Sequence, residues 1–213
     1  MRYFIDTEFI EDGLTIDLIS IGIVCEDGRE YYALNYDCNH SKADDWVKKN
    51  VLAQLPEQPL PFLAATAKDA EKRRNGYYNK ESIAIAVAEF CGCTATLKPL
   101  VPGEMIYPSR SHNYALKPES PKPEFWARYA AYDWVAFCQL FGRMVDLPDG
   151  FPAYCNDIQQ ECDRLGSPIL PKQTEGFHNA LEDAKWNRRA WSFLNTIAEL
   201  GKPIDLKAVR ATR

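Results

Sequence analysis

The chain has no Cys-x-x-Cys pair, three histidines in all, and no excess of positive charge. Each shortage removes a class of function. The seven cysteines, Cys25, Cys38, Cys91, Cys93, Cys138, Cys155 and Cys162, are odd in number and irregularly spaced, which argues against a disulfide framework or a zinc ribbon. Cys91, Cys93 and His112 lack a fourth partner at zinc spacing. Reduced, partly buried thiols in a cytoplasmic protein are expected instead. No apolar run approaches the ~18–20 residues that span a bilayer. The first residues enter a strand pattern directly, so no secretory leader is expected. There is no glycine-rich phosphate loop of the Walker or Rossmann type, no clear Ser or Cys nucleophile arrangement, and no internal repeat. The net charge of −5 is unlike that of a long-duplex DNA binder. It leaves room for a nucleic-acid enzyme whose metal ions supply the positive charge at the phosphate.

What is present is a chain of 213 residues, 46% apolar and 26% charged, long enough for one globular domain with a real core. Residues 2–8 read as a strand. TIDLISIGIVCEDG, from Thr15, is nearly continuous in branched apolar residues and suits a strand buried on both faces. Glu26-Asp27-Gly28 is a hairpin turn signal, and REYYALNY a third strand. DDWVKKNVL, from Asp44, is a short amphipathic helix. Residues 66–92 are helical in composition, with Asn79 a candidate N-cap and Gly92 a stop. Residues 93–122 hold five prolines and little periodicity, as expected of an inserted loop or hairpin. EFWARYA, from Glu124, is another strand, AYDWVAFCQLFG a loop entering a helix, NDIQQECDRLG a further helix, and residues 179–200 the last one. Three strands followed by helices alternating with strand make an α/β pattern with a mixed sheet.

The first strand raises a chemical question. By alternation Phe4, Asp6 and Glu8 share one face, and two neighbouring carboxylates repel each other unless a cation or a proton intervenes. An isolated Asp-x-Glu is ordinarily a strand end in solvent, so the pair needs partners. Asp133, before an apolar helix, is one candidate, although its position also suits a plain N-cap. Asp183 is more informative. Asn179 and Glu182 resemble a capping box, and at ~100° per residue Asp183 points with Trp186, Asn187, Ala190 and Leu194, on the packing face. A solvated aspartate belongs on the opposite side, with Arg189 and Ser192. His178 lies in the loop just before this helix. Carboxylates are hard ligands for Mg²⁺ or Mn²⁺. Two such ions ~4 Å apart can activate a water and stabilise the leaving oxygen of a phosphodiester, and a neutral histidine can take the water's proton near neutral pH.

FIDTE, AYD and HNALED resemble the three motifs of the DEDDh 3′–5′ exonucleases, and the His-x4-Asp spacing of His178 and Asp183 is that of the histidine subtype. RYFIDTEFIEDGLTIDLISIGIVCEDGREYYA, DWVKKNVLAQLP and AAYDWVAFCQLFG extend the likeness to an RNase T-like branch of exoribonucleases, over roughly residues 1–56 and 124–200. The resemblance implies an RNase H-like fold, an antiparallel three-strand meander plus parallel strands flanked by helices. It implies two Mg²⁺ or Mn²⁺ ions held by Asp6, Glu8, Asp133 and Asp183, and His178 as general base. It also implies Phe9 and Ile10 against the terminal nucleotide, single-stranded RNA or a 3′ overhang as substrate, and a possible homodimer. A DNA exonuclease of the same fold and a non-catalytic nucleic-acid-binding relative are the alternatives. Two departures stand out. Many relatives carry Asn-Ala-x-Phe-Asp at the second motif, where this chain has Tyr129-Ala130-Ala131-Tyr132-Asp133. The insertion at 93–122 has no recognised counterpart. Its Lys98, Arg110, His112, Tyr114, Lys117 and Lys122, or the basic segment from Lys68, could guide single-stranded nucleic acid; a solvated surface is the other reading of both.

Overall fold

The computed structural model describes residues 1–57, 76–97 and 112–201. The basic residues from Lys68 to Arg74, and Lys98 and Arg110, lie outside them. The first strand, β1 (Arg2–Glu11), runs three residues further than expected. It pairs antiparallel with β2 (Ile16–Cys25), which pairs antiparallel with β3 (Glu30–Asn35), so the meander is present. Gly28 closes the second turn at φ +96°, a conformation open to glycine at little cost. A bulge where Glu8–Ser20 gives way to Phe9–Leu18 leaves Ile19 as the extra residue, on β2.

Asp44 caps α1 (Asp45–Asn50) by accepting from the Val47 amide at 2.7 Å. Of the segment 66–92, expected to be helical, residues 66–75 lie outside the described residues. Tyr77–Tyr78 form a short strand, β4, parallel to β3, and Asn79 then caps α2 (Lys80–Phe90). The two ends of the proline-rich excursion pair as β5 (Cys93–Leu97) and β6 (His112–Leu116). Tyr114 there is buried edge-on against Phe141, and His112 Nδ1 lies 3.3 Å from Glu81, so neither side chain is offered to a ligand. Strand β7 (Glu124–Ala127) is parallel to β1, and β8 (Asn156–Asp157) is parallel to β7. With α3 (Ala131–Phe141), α4 (Ile158–Arg164) and α5 (Ala180–Leu200), this completes an α/β fold with a mixed six-stranded sheet, order β4-β3-β2-β1-β7-β8, consistent with the RNase H-like architecture.

Alternation along β1 decides which helix packs where. Tyr3 and Ile5 join α2 and α3 in the main core, whose ring cluster of Phe125, Trp134, Phe137 and Phe141 is buried; each such side chain contributes ~1.5–3 kcal/mol. Phe4 and Val24 face the other way, under Ala184 of α5. That helix starts unusually close to the sheet. A Cβ on Gly22 would collide with the Ala180 carbonyl and the Leu181 amide, so the absence of a side chain there seats the N-terminus of α5 on β2. Gly22 is the register partner of Asp6. All seven cysteines are free. No described helix is long and apolar enough to cross a membrane.

Candidate active site

Strand β7 pairs with β1 only at Arg2, Tyr3 and Phe4. Past that point it turns away, and the same edge of β1 is left open. Two side chains satisfy the freed backbone groups. Asn187 of α5, 1% exposed, donates through Nδ2 to the Ile5 carbonyl at 2.9 Å. Asp133 of α3 accepts from both the Thr7 amide and the Thr7 hydroxyl at 2.7 Å. A polar notch therefore opens where the carboxyl ends of the parallel strands β1 and β7 diverge, the usual position for ligands in an open α/β sheet.

Asp133 is not the cap of its helix. Ala130 holds the N-cap position without a side-chain bond, and Asp133, 7% exposed, sits in the first turn aimed at β1. The other three acids meet on the opposite side of β1. Asp6, Glu8 and Asp183 each offer a carboxylate oxygen within 4.8 Å of the others. Among the described residues this is the group of three or more His, Cys, Asp or Glu side chains able to surround one ion; Cys91, Cys93 and His112 form none. The sidedness follows from the elements. Asp6 and Glu8 share the face of Phe4, and Asp183 comes down in the first turn of α5, directly above. Asn179 caps that helix by accepting from the Leu181 and Glu182 amides. The Glu182 carboxylate turns to Lys185, at 2.9 Å, so the expected capping box is half made.

The electrostatics are those of a site built for cations. Burial, then the charges of Asp133, Asp183 and Glu8, pushes Asp6 well above the ordinary carboxylate range. Burial, then Asp183 and Asp133, pushes Glu8 up to about 8. Asp133 is raised to about 6 by burial, with the Thr7 donors pulling the other way. Asp183 is raised by burial and held back by Gln173, whose Nε2 donates at 2.6 Å, and by His178. Divalent ions would relieve the repulsion among these carboxylates, so the donor set fits hard metal ions.

The cleft over these acids measures about 450 Å³ and is also lined by Phe9, Trp46, Arg128, Tyr129, Tyr132 and His178. Phe9 stacks on Tyr132 at 5.7 Å. Ile10 does not reach the cleft. It is 4% exposed and packs with Ile19, Cys38 and Val51 under α1; its side chain belongs to the floor that seats that helix. His178 has φ +60°, a strained value away from glycine. Its ring meets Trp46 edge-on at 4.8 Å, and the preceding Phe177 carbonyl accepts from Gln54 Nε2 at 3.1 Å. Thr7, Gln173, Trp46 and Gln54 were not anticipated from sequence. Trp46 alone left a signal, as an apolar residue on a helix too short to bury it.

Residues 1–195 match the family model of the 3′–5′ exoribonuclease Rv2179c-like domain. The chain is also similar to two proteins of Mycobacterium tuberculosis, 3′–5′ exoribonuclease Rv2179c of strain ATCC 25618 / H37Rv and 3′–5′ exoribonuclease MT2234.1 of strain CDC 1551 / Oshkosh. Each is 34% identical over 202 residues, spanning 95% of this chain and 98% of the relative.

Proposed function

Because the chain belongs to the Rv2179c-like 3′–5′ exoribonuclease family, we propose that it degrades single-stranded RNA, or a single-stranded 3′ overhang, to nucleoside 5′-monophosphates through a DEDDh arrangement. The observation that carries this reading is the meeting of Asp6, Glu8 and Asp183 within 4.8 Å, with Asp133 reaching the same cleft from the other side of β1. These four carboxylates would hold two divalent ions, Mg²⁺ or Mn²⁺. When bound, such ions supply Lewis-acid charge at the scissile phosphate and lower the pKa of a water.

The protein's own groups account for the remaining requirements. His178, on the cleft wall, takes the proton of the attacking water and passes it to solvent. Trp46 and the Gln54–Phe177 tether fix the loop that carries it. Thr7 holds Asp133 in one orientation through two donors, so that its other oxygen stays turned to the cleft. The stacked Phe9–Tyr132 pair offers an apolar wall to a terminal base or sugar.

Digestion of 5′-labelled single-stranded RNA and matched DNA, with Mg²⁺, Mn²⁺ or chelator, tests the reading. A ladder shortening from the 3′ end of RNA, abolished by chelator, is expected. Equal or faster loss of DNA would transfer the assignment to a DNA exonuclease. A folded protein inert on both substrates with both metals would leave a binding protein.

A further inference from the structure

The described cleft is lined by six carboxylates, Asp6, Glu8, Glu11, Asp44, Asp133 and Asp183. A polyanionic strand entering it needs a fixed positive charge outside the carboxylate cluster. Arg128, at the end of β7, is the permanent cation among the described lining residues. Its partners there are neutral. Nε and Nη2 both lie 3.3 Å from the single oxygen Gln159 Oε1, Nη2 lies 3.5 Å from the Tyr129 hydroxyl, and the guanidinium packs over Trp186 at 5.1 Å and over Tyr129 at 4.9 Å. A guanidinium has five donors in a fork that matches a phosphate. Gln159 and Tyr129 engage Nε and Nη2 and leave Nη1 without a hydrogen bond among the described residues.

The next residue is held in an unusual way. Tyr129 has φ +55°, a conformation rare for a bulky side chain. The Asp157 carboxylate fixes it by accepting from the Tyr129 amide at 3.3 Å and the Ala130 amide at 3.1 Å. The outcome is an aromatic ring 63% exposed on the lip of the cleft. Strain of this kind persists where the surroundings over-determine it, and it gathers at ligand sites.

We infer that Arg128 and Tyr129 form a nucleotide subsite on the cleft rim, the guanidinium taking a substrate phosphate and the phenol ring a base. The inference rests on the RNA-degrading reading above and adds to it the group that offsets the acidity of the cleft. It assigns Arg128 to affinity, through charge, and Tyr129 to affinity, through stacking, with neither touching the bond that breaks.

The test is equilibrium binding of a labelled single-stranded RNA blocked by a 3′-terminal phosphorothioate linkage, with Mg²⁺, over a range of salt. Arg128→Gln keeps a polar side chain and removes the charge. It should bind about tenfold more weakly, and the slope of log affinity against log salt should shrink by about 0.7, one phosphate contact on a single strand. Arg128→Lys should restore the slope. Tyr129→Ala should bind about tenfold more weakly at an unchanged slope, and Tyr129→Phe should recover the affinity. On cleavable RNA both losses should fall on KM more than on kcat. An Arg128→Gln protein with a wild-type salt slope, whatever its melting temperature, overturns the subsite and marks the arginine as a brace for Trp186. If the wild type degrades RNA and Arg128→Gln does so with the same KM, the subsite fails and the exoribonuclease reading stands. If the wild type binds RNA with an Arg128-dependent slope and never cleaves it, that reading fails and the subsite stands.

Discussion

The two sides of β1 carry acids under opposite regimes. On the α3 side, the Asp133 carboxylate receives two donors from Thr7 at 2.7 Å, while its charge is still felt by Asp6 and Glu8. On the α5 side, Asp6, Glu8 and Asp183 crowd within 4.8 Å, and Gln173 is the neutral side chain that bonds one of them. The first carboxylate is oriented by the protein itself. The other three are placed by the fold and left electrostatically unfinished, so their natural complement is a cation from outside. The difference separates positioning, which costs the fold little, from charge storage, which costs it stability until metal arrives.

Abolishing the crowded side should have the largest effect. Asp6→Asn and Asp183→Asn are expected to lower kcat/KM on RNA by at least ~10³-fold, several kcal/mol of transition-state stabilisation. The same variants, freed of repulsion, should melt no lower than wild type at pH 8 in chelator. Activity within tenfold of wild type in either would undo the contrast. On the anchored side, Thr7→Val removes one of the two donors to Asp133 and should cost roughly 10–100-fold, while Thr7→Ser retains most activity. The comparison also has a pH signature. The folded protein holds Glu8 up at about 8, against an ordinary value of 4.5. Between those values it binds more protons than the unfolded chain, so Glu8 reduces stability as pH rises through that window. The metal-free melting temperature should therefore fall by roughly 4–8 °C more in wild type than in Glu8→Gln between pH 6 and pH 8, about 2 kcal/mol for a domain of this size. Saturating Mg²⁺ should abolish the difference; calorimetry reads both. The smallest effect is expected at the loop facing the cluster. Trp46→Ala should lower kcat about fivefold at little change in KM, and Trp46→Phe, which keeps an edge for His178, should recover it in steady-state assays.

The legible parts of the molecule were those written in periodicity. The meander, the caps at Asn79 and Asn179, and the inward aspect of Asp183 follow from alternation, from capping chemistry and from 3.6-residue spacing. The Tyr77–Tyr78 strand was missed because two residues carry no period, and its pairing with β3 is a tertiary fact. The second motif misled locally, because Asp133 has the sequence position of a cap, and only the arrival of Thr7 from residue 7 shows what its carboxylate bonds. Ile10 misled for a related reason. Ile10 keeps the alternation of Asp6 and Glu8, but that far along β1 the face is covered by Cys38 and Val51 rather than open to the cleft. Gln173 and Gln54 sit in irregular segments, where no pattern announces a contact.

Gly22 has no chemistry of its own, yet it sets the height of the helix that carries Asp183 over its register partner Asp6. In a saturation library selected for activity, this position should therefore sort with the catalytic acids, while a scan for stability alone would class it with the core. A survey that ranks residues by what their side chains can do would pass over it, because what Gly22 contributes is the space that a methyl group would fill.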